Sequence, residues 1–173
     1  PQGVPVAEDF AVVGVDTPDA GEGQVQVQNL LMSVDPYMRP RLTADQPLDA
    51  AMLGGGIGRV VQSRNDRFKE GDLARHGAGM QELFVSDGRG LQPPTPAPAL
   101  SLSVYMHALG GTGITAYGGL LETGALKDGE QVFVSTAGGA VGSVVAQIAK
   151  IKGCYVVGST GTDDKAAWLK DEV

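Results

Sequence analysis

The ten residues from Val134 to Ser143, VSTAGGAVGS, join an apolar run to an amphipathic one and constrain the fold more than any other stretch. The run before them, Gln131 to Ser135, is a compact strand of the buried type, and Cys154 to Gly158 is a second one. Between the two, apolar residues recur at the spacing of one helix face: Val141, Val144, Val145, Ile148 and Ala149. Lys150, Lys152 and Gly153 then close the helix. Strand, glycine turn, helix and strand make one βαβ unit, for which a right-handed crossover is expected.

The turn also follows the dinucleotide fingerprint G-x-G-x-x-G. Ala137, Gly139 and Gly142 occupy its three glycine positions, with alanine replacing the first glycine. Gly139 would let the backbone approach a pyrophosphate, and Gly142 would let the helix pack closely on the strand. The helix N-terminus offers unpaired N–H groups and a positive dipole end to phosphates. The pattern favours a dinucleotide site over a purely structural turn, and it excludes a Walker loop because no Lys-Ser or Lys-Thr follows the glycines.

The end of the second strand indicates which dinucleotide the turn would bind. NAD-selective folds place an acidic side chain there, where it accepts the ribose hydroxyls and repels a 2′-phosphate. Here the strand runs into Ser159-Thr160-Gly161 without an acid, and Asp163 and Asp164 fit the first turn of a helix capped by Thr162. Lys165 follows and can reach a 2′-phosphate as a point charge. The sequence therefore predicts NADP rather than NAD.

Composition excludes several classes of function. The 173 residues carry a net charge of −7, which argues against binding to nucleic acid or to an anionic membrane surface. No apolar run approaches the roughly 18 residues of a membrane span, and the cytoplasm is the expected location. One cysteine and two distant histidines give no metal site. We interpret Cys154 as a packing residue, and His107 as a satisfied or exposed histidine rather than a catalytic one.

The first hundred residues have the pattern of short strands separated by turns, which suggests a small barrel-like β domain. The candidate strands lie at 22–34, 54–63 and 80–86, and the stretch 68–75 places Gly71 and Asp72 at a turn before another short strand. The proline-rich stretch 91–100 is predicted to be a stiff connector. Two short helices are expected after it, at 101–111 with Ser101 as its cap and at 113–124. The predicted domains are therefore residues 1–100 and residues 101–173.

Several long phrases resemble one known group of enzymes. SVDPYMRPRL, at Ser33 to Leu42, occurs together with GITAYGGLLETG, SDGRGL and STAGGAVGSVVAQIAKIKGCYVVGSTGTDDK. These phrases resemble the prostaglandin reductase, alkenal double-bond reductase and curcumin reductase group of zinc-free medium-chain dehydrogenase/reductases. The resemblance implies an α/β fold, with an N-terminal GroES-like β-barrel domain followed by the first βαβ part of a Rossmann (doubly wound parallel) domain. Gly54 to Gly58 replaces the Gly-His-Glu phrase of zinc-dependent relatives, in agreement with a metal-free site.

The resemblance also implies a function and its site residues. Members of the group are NADP-dependent oxidoreductases that reduce the carbon–carbon double bond of an α,β-unsaturated ketone or aldehyde, with hydride delivered to the β-carbon and an enolate as intermediate. The positions that match the cofactor motifs are Gly138, Gly139, Ala140, Val141 and Gly142 at the pyrophosphate, Lys165 at the 2′-phosphate and Thr115 near the nicotinamide. Tyr37 matches a tyrosine of the substrate pocket.

The same resemblance implies that the chain is a fragment of a longer enzyme. The catalytic residues and the dimer edge would lie in the remainder, the parent would be a homodimer, and the fragment itself would be inactive. An exposed edge of valine-rich parallel strands is expected to aggregate or to pair with another copy. Two alternatives stay open at this point, an NADPH:quinone oxidoreductase and a non-catalytic NADPH-binding module.

Overall fold

A computed structural model describes residues 3–94 and 100–173 of the chain. It divides the chain into two compact units, Pro1–Pro98 and Ala99–Val173. Residues 95–99 of the expected connector lie outside the described residues. The assignment of residues 1–100 and 101–173 as GroES-like and Rossmann domains stays a prediction, and each unit is described by itself below.

The first unit contains an antiparallel sheet of four strands in the order β3-β2-β1-β4. Their bounds are Val25–Met32 for β1, Gly56–Ser63 for β2, Leu73–His76 for β3 and Leu83–Ser86 for β4. The strand predicted at 22–34 is thus shorter than expected. Alternate residues of β1 point inward, because successive side chains of a strand face opposite sides of the sheet. The core cluster joins residues from all four strands to two loop residues: Val25, Val27, Val60, Phe68, Ala74, Phe84 and Leu91.

A short helix, α1 (Met38–Ala44), follows β1 in the first unit. Tyr37 occupies its N-cap position and is 46% exposed, whereas the Met38 side chain is buried. The 3-10 turn Ala7–Asp9 lies near the N-terminus of the same unit.

The second unit contains the predicted βαβ motif. Strands β5 (Gln131–Val134) and β6 (Tyr155–Gly158) pair in parallel, and α3 (Ala140–Ile151) connects them. Helix α3 ends as predicted, because Gly153 after it adopts φ +71°, a conformation that costs glycine little. A further helix, α4 (Asp163–Glu172), begins after Thr162, whose hydroxyl accepts the Lys165 N–H at 3.3 Å as the cap prediction requires.

The helices before β5 differ from their predictions. The segment expected as a helix at 101–111 forms only a 3-10 helix, Leu102–Met106, and Ser101 does not cap it because its Oγ lies 2.5 Å from the Ser103 Oγ instead. The second predicted helix begins earlier than expected as α2 (Gly111–Tyr117) and continues as a π-helical segment, Gly118–Thr123.

The prediction that β5 and β6 are buried strands is wrong for one face of the sheet. Val134 is buried, but Phe133 and Tyr155 are each 68% exposed and Val157 is 45% exposed. Parallel strands are buried on both faces only where helices cover both faces. In the described residues the pair contacts α3, whose inner face buries Val144 and Ala149 as predicted, so only one face of the pair is covered.

Cys154 lies just before β6 in the second unit. It therefore does not open the strand, and its thiol is half-buried and donates to the Lys127 carbonyl at 3.5 Å. Among the helices of the described residues, none is long and apolar enough to cross a membrane.

Candidate functional site

The glycine turn begins with a threonine in a rare backbone conformation. Thr136 lies two residues after the end of β5. Its φ is +52°, a value that β-branched residues seldom adopt. The Thr136 carbonyl accepts the Gly139 N–H at 2.8 Å. The next residue, Ala137, is buried and donates its N–H to the Ser159 carbonyl at 2.8 Å. The turn is therefore fixed to the end of β6 as well as to β5.

Two glycines of the turn pack against the Thr136 carbonyl. A Cβ added to Gly142 would lie 2.3 Å from that oxygen and 2.9 Å from the Ala137 Cα. A Cβ added to Gly139 would lie 3.1 Å from the same oxygen. Both distances from a Cβ at position 142 are shorter than real side chains tolerate, so this position requires glycine. Close packing is the role that the fingerprint gives to its last glycine.

The turn leads directly into the N-terminus of α3. Gly139 is the N-cap residue in an extended conformation, and its carbonyl accepts the Ser143 N–H at 2.9 Å as the first bond of the helix. The N–H groups of Ala140, Val141 and Gly142 precede that bond and so have no intrahelical acceptor. These N–H groups and the positive end of the helix dipole form an anion-binding arrangement.

Gly138 provides a second contact, between the turn and the residues that follow β6. A Cβ added to Gly138 would lie 2.9 Å from the Thr160 Oγ1, 3.4 Å from the Lys165 Cδ and 3.5 Å from the Lys165 Cβ. The structure thus brings together Gly138 and Lys165, two residues that the sequence predicts at the cofactor. It adds the Thr160 hydroxyl, which sequence reasoning did not select. The sequence signal that could have identified Thr160 is a hydroxyl side chain at the end of a strand that lacks an acid.

Two other residues lie near or beside this region in the same unit. His107 Nε2 is 2.9 Å from the carbonyl oxygen of Ala140, so the ring contacts the first residue of α3. Thr115 lies on α2, which packs against α3, and its hydroxyl donates to the Gly111 carbonyl at 2.8 Å. The Thr115 oxygen still has lone pairs that can accept a hydrogen bond. The predicted role of Thr115 near the nicotinamide stays a prediction.

Tyr37 belongs to the other unit. Its side chain is about half exposed at the start of α1, which is compatible with a pocket residue. Among the described residues, no group of three or more His, Cys, Asp or Glu side chains is arranged to hold a metal ion.

Replacing Thr136 with glycine is expected to stabilise the protein. A non-glycine residue in the left-handed region destabilises the folded protein by about 1–2 kcal/mol, which glycine avoids. Glycine also makes the unfolded chain more flexible, which offsets about 0.4–1 kcal/mol of that improvement. We expect Thr136→Gly to raise the melting temperature by a few degrees in thermal unfolding. Ser135→Gly is the matched control, because Ser135 has no positive φ. This control should lower the melting temperature. Equal destabilisation by both substitutions would contradict the assigned strain.

Comparison with known proteins identifies the family of the chain. Residues 1–93 match the family model described as the N-terminal domain of oxidoreductase. The chain is 42% identical to prostaglandin reductase 1 of Rattus norvegicus, over 98% of this chain and 52% of the relative. It is 38% identical to the NADPH-dependent curcumin reductase of Escherichia coli (strain K12), over 95% of this chain and 49% of the relative. The chain spans about half the length of the curated relatives it matches.

A solved structure gives the same answer for the fold. The crystal structure of CurA in complex with NADPH from Vibrio vulnificus superposes with a TM-score of 0.89 at 35% identity, covering 99% of this chain and 52% of that one. The predicted fold class and the predicted family are confirmed. The chain belongs to the zinc-free medium-chain dehydrogenase/reductases, in the oxidoreductase group that includes the prostaglandin, curcumin and 2-alkenal reductases.

Proposed function

We propose that this chain is the N-terminal part of an NADPH-dependent reductase that acts on the carbon–carbon double bond of α,β-unsaturated ketones and aldehydes. The observation that carries the proposal is the contact of Gly138 with Thr160 and Lys165 at a strand end without an acid. Relatives described as prostaglandin, curcumin and 2-alkenal reductases support the substrate class. We further expect the protein to work in the cytoplasm as a homodimer.

The residues present fit one half of NADPH. The N–H groups at the start of α3 suit the pyrophosphate, and neither Gly138 nor Gly139 carries a side chain that would block its approach. A cation and a hydroxyl beside Gly138 suit a 2′-phosphate, because both can donate to its oxygens. The acids of α4, Asp163 and Asp164, lie in its first turn, where their charge is offset by the helix dipole.

The bound cofactor would supply a hydride for the β-carbon of the substrate, and the resulting enolate would take a proton at its α-carbon. In this proposal the chain contributes binding and orientation. The glycine turn fixes the phosphates, Thr115 lies toward the nicotinamide, and Tyr37 lines the substrate pocket. The groups that stabilise the enolate would belong to the remainder of the enzyme.

The proposal is tested by turnover in the protein as its gene encodes it. We expect NADPH oxidation with a small enone, much faster than NADH oxidation under the same conditions. A quinone in the parallel assay distinguishes the alternative activity, since quinone turnover without enone turnover would replace this proposal with a quinone oxidoreductase. NADPH binding without turnover of either acceptor would indicate a non-catalytic module.

Removing the Thr160 hydroxyl is expected to weaken the preference for the phosphorylated cofactor. A hydrogen bond to a charged group contributes about 1.5–3 kcal/mol, which is about 10- to 150-fold in affinity. We therefore expect Thr160→Val to raise the dissociation constant for NADPH by at least tenfold and to leave that for NADH unchanged in fluorescence titrations. Thr43→Val, at an exposed position of α1, is the matched control. A similar loss for both cofactors would show that Thr160 supports the turn only.

A further inference from the structure

One buried imidazole in the first unit takes no part in the proposed cofactor site. His76 ends β3 and is 8% exposed. Its Nε2 lies 2.5 Å from the Asn29 Oδ1, and its Nδ1 accepts the Ala78 N–H at 3.2 Å. The Asn29 amide is oriented by a second bond, from its Nδ2 to the Gln81 carbonyl at 2.6 Å. Because the Asn29 oxygen can only accept and the Ala78 N–H can only donate, the ring is neutral with its proton on Nε2.

These bonds fasten the loop between β3 and β4, residues 77–82, to the sheet. The ring of His76 holds the loop at Ala78, and Asn29 holds it at Gln81. The Gln81 side chain closes the loop on itself by donating to the Ala78 carbonyl at 2.6 Å. His76 and Asn29 are therefore the link through which β1 and β3 set the position of the loop.

The far side of the loop contacts the segment that precedes β2. Gly79 donates its N–H to the Gly54 carbonyl at 3.0 Å, and Met80 donates to the Met52 carbonyl at 2.7 Å. A Cβ added to Gly54 would lie 2.9 Å from the Met38 Cε and 4.0 Å from the Met80 Cγ. The side chains of Met38 and Met80 thus converge on Gly54. Met38 is the residue after Tyr37, so the loop approaches the start of α1.

The glycines of this segment also make room for the imidazole. A Cβ added to Gly56 would lie 2.6 Å from the His76 Cε1 and 2.7 Å from its Nε2. The ring is flanked on another side by Phe84, with 4.7 Å between the ring centroids. His76 is therefore packed closely against Gly56 and Phe84, which leaves the ring little room to move.

We propose that His76 is a positioning residue that, together with Asn29, holds loop 77–82 and its Met80 against Gly54 and thereby sets the size of the substrate pocket beside Tyr37. This inference rests on the proposed function for the identity of that pocket. It assigns His76 no contact with substrate or cofactor.

Protonation of His76 would release the loop. A second ring proton on Nδ1 removes the acceptor for the Ala78 N–H, and the side chains that contact the ring, Asn29 and Phe84, are uncharged. The charged residues nearest in the chain are Arg75, on the opposite face of β3 by strand alternation, and the exposed Glu82. Burial lowers the pKa of His76 below its usual value of about 6.5. The unfolded chain therefore binds this proton more readily, and stability is lost as pH falls below about 6.5 toward the folded pKa.

Three variants test the positioning role in the encoded protein. His76→Phe keeps a ring but removes both hydrogen bonds, and His76→Gln retains a donor toward Asn29 as the conservative form. The readouts are kcat and KM for methyl vinyl ketone and for a long-chain alkenal, with KM for NADPH measured alongside. We expect His76→Phe to change the ratio of kcat/KM for the two acceptors by at least about fivefold at unchanged KM for NADPH, and His76→Gln to recover part of it.

Asn29→Asp supplies a signature that a merely structural role would not produce. A carboxylate beside Nε2 raises the pKa of His76, so the acid-side loss of kcat/KM for the long alkenal should move to higher pH. Gln28→Glu is the matched control, because it introduces the same charge at the neighbouring exposed residue of β1. An unchanged acceptor ratio in His76→Phe together with an unshifted pH profile in Asn29→Asp would overturn the inference.

Hydrogen exchange separates this inference from the proposed function. Peptides covering residues 77–82 should lose protection in His76→Phe relative to the parent protein, whether or not an enone is reduced. If the parent protein reduces no enone, the proposed function fails while the exchange result still decides whether His76 holds the loop. Unchanged exchange in a folded variant would overturn the inference even in an active enzyme.

Discussion

Gly142→Ala is expected to weaken NADPH binding about 100-fold. The new methyl group would lie 2.3 Å from the Thr136 carbonyl oxygen, which is itself bonded to the Gly139 N–H, so the clash must displace the turn or the helix. Overpacking of this kind costs about 1–3 kcal/mol of stability. A displacement of about 1 Å in a group that positions a ligand can reduce enzyme activity about 100-fold. We expect a rise of roughly that size in the dissociation constant for NADPH, measured by fluorescence titration of the encoded protein.

The control for this substitution is a glycine with space around it. Gly119 has no atom within 4 Å of an added Cβ and no positive φ, so Gly119→Ala tests the methyl group without the clash. It should leave NADPH affinity unchanged. An intact dissociation constant in Gly142→Ala would show that the turn does not hold the pyrophosphate in the proposed way.

Lys165→Met is expected to remove most of the discrimination between NADPH and NADH. Methionine keeps an unbranched apolar chain against Gly138, where the lysine stem now lies 3.4 Å from an added Cβ, but it lacks the charge. Loss of a charge-assisted bond to the 2′-phosphate predicts about a 10- to 150-fold weaker NADPH complex. NADH affinity should not change, because NADH has no phosphate at that position.

Lys170→Met provides the comparison for Lys165→Met. Lys170 lies in the last turn of the same helix, α4, and its substitution changes the net charge equally. Salt should weaken NADPH binding in this control and in the parent protein, and less so in Lys165→Met, since exposed charges are screened. Equal losses of NADPH and NADH affinity in Lys165→Met would place the lysine outside the 2′-phosphate site.

The βαβ unit was predictable from sequence because its signals are local. The periodicity of α3, its end at Gly153 and the Thr162 cap each depend on residues close together in the chain, and all three are observed. Local signals do not report which faces are covered. The burial expected for Phe133 and Tyr155 is wrong because burial depends on elements that pack from elsewhere, and α3 covers one face only.

The parts of the site that sequence did not reveal are contacts between distant segments. Thr160 approaches Gly138 only when β6 lies beside β5, and the fingerprint contains no position for it. The bond between His76 and Asn29 joins residues 47 positions apart, and neither carries a motif. The missing cap at Ser101 has a local cause, because its hydroxyl is hydrogen-bonded to the Ser103 hydroxyl instead of a backbone N–H.

The fate of the hydride is the most direct test of the proposed activity. The encoded protein would be supplied with an enone and NADPH deuterated at the transferable position of the nicotinamide, and the product analysed by nuclear magnetic resonance. We predict a saturated ketone with deuterium on the β-carbon and a solvent proton on the α-carbon. Deuterium on the carbonyl carbon of an unsaturated alcohol, or no incorporation at carbon while NADPH is consumed, would contradict it.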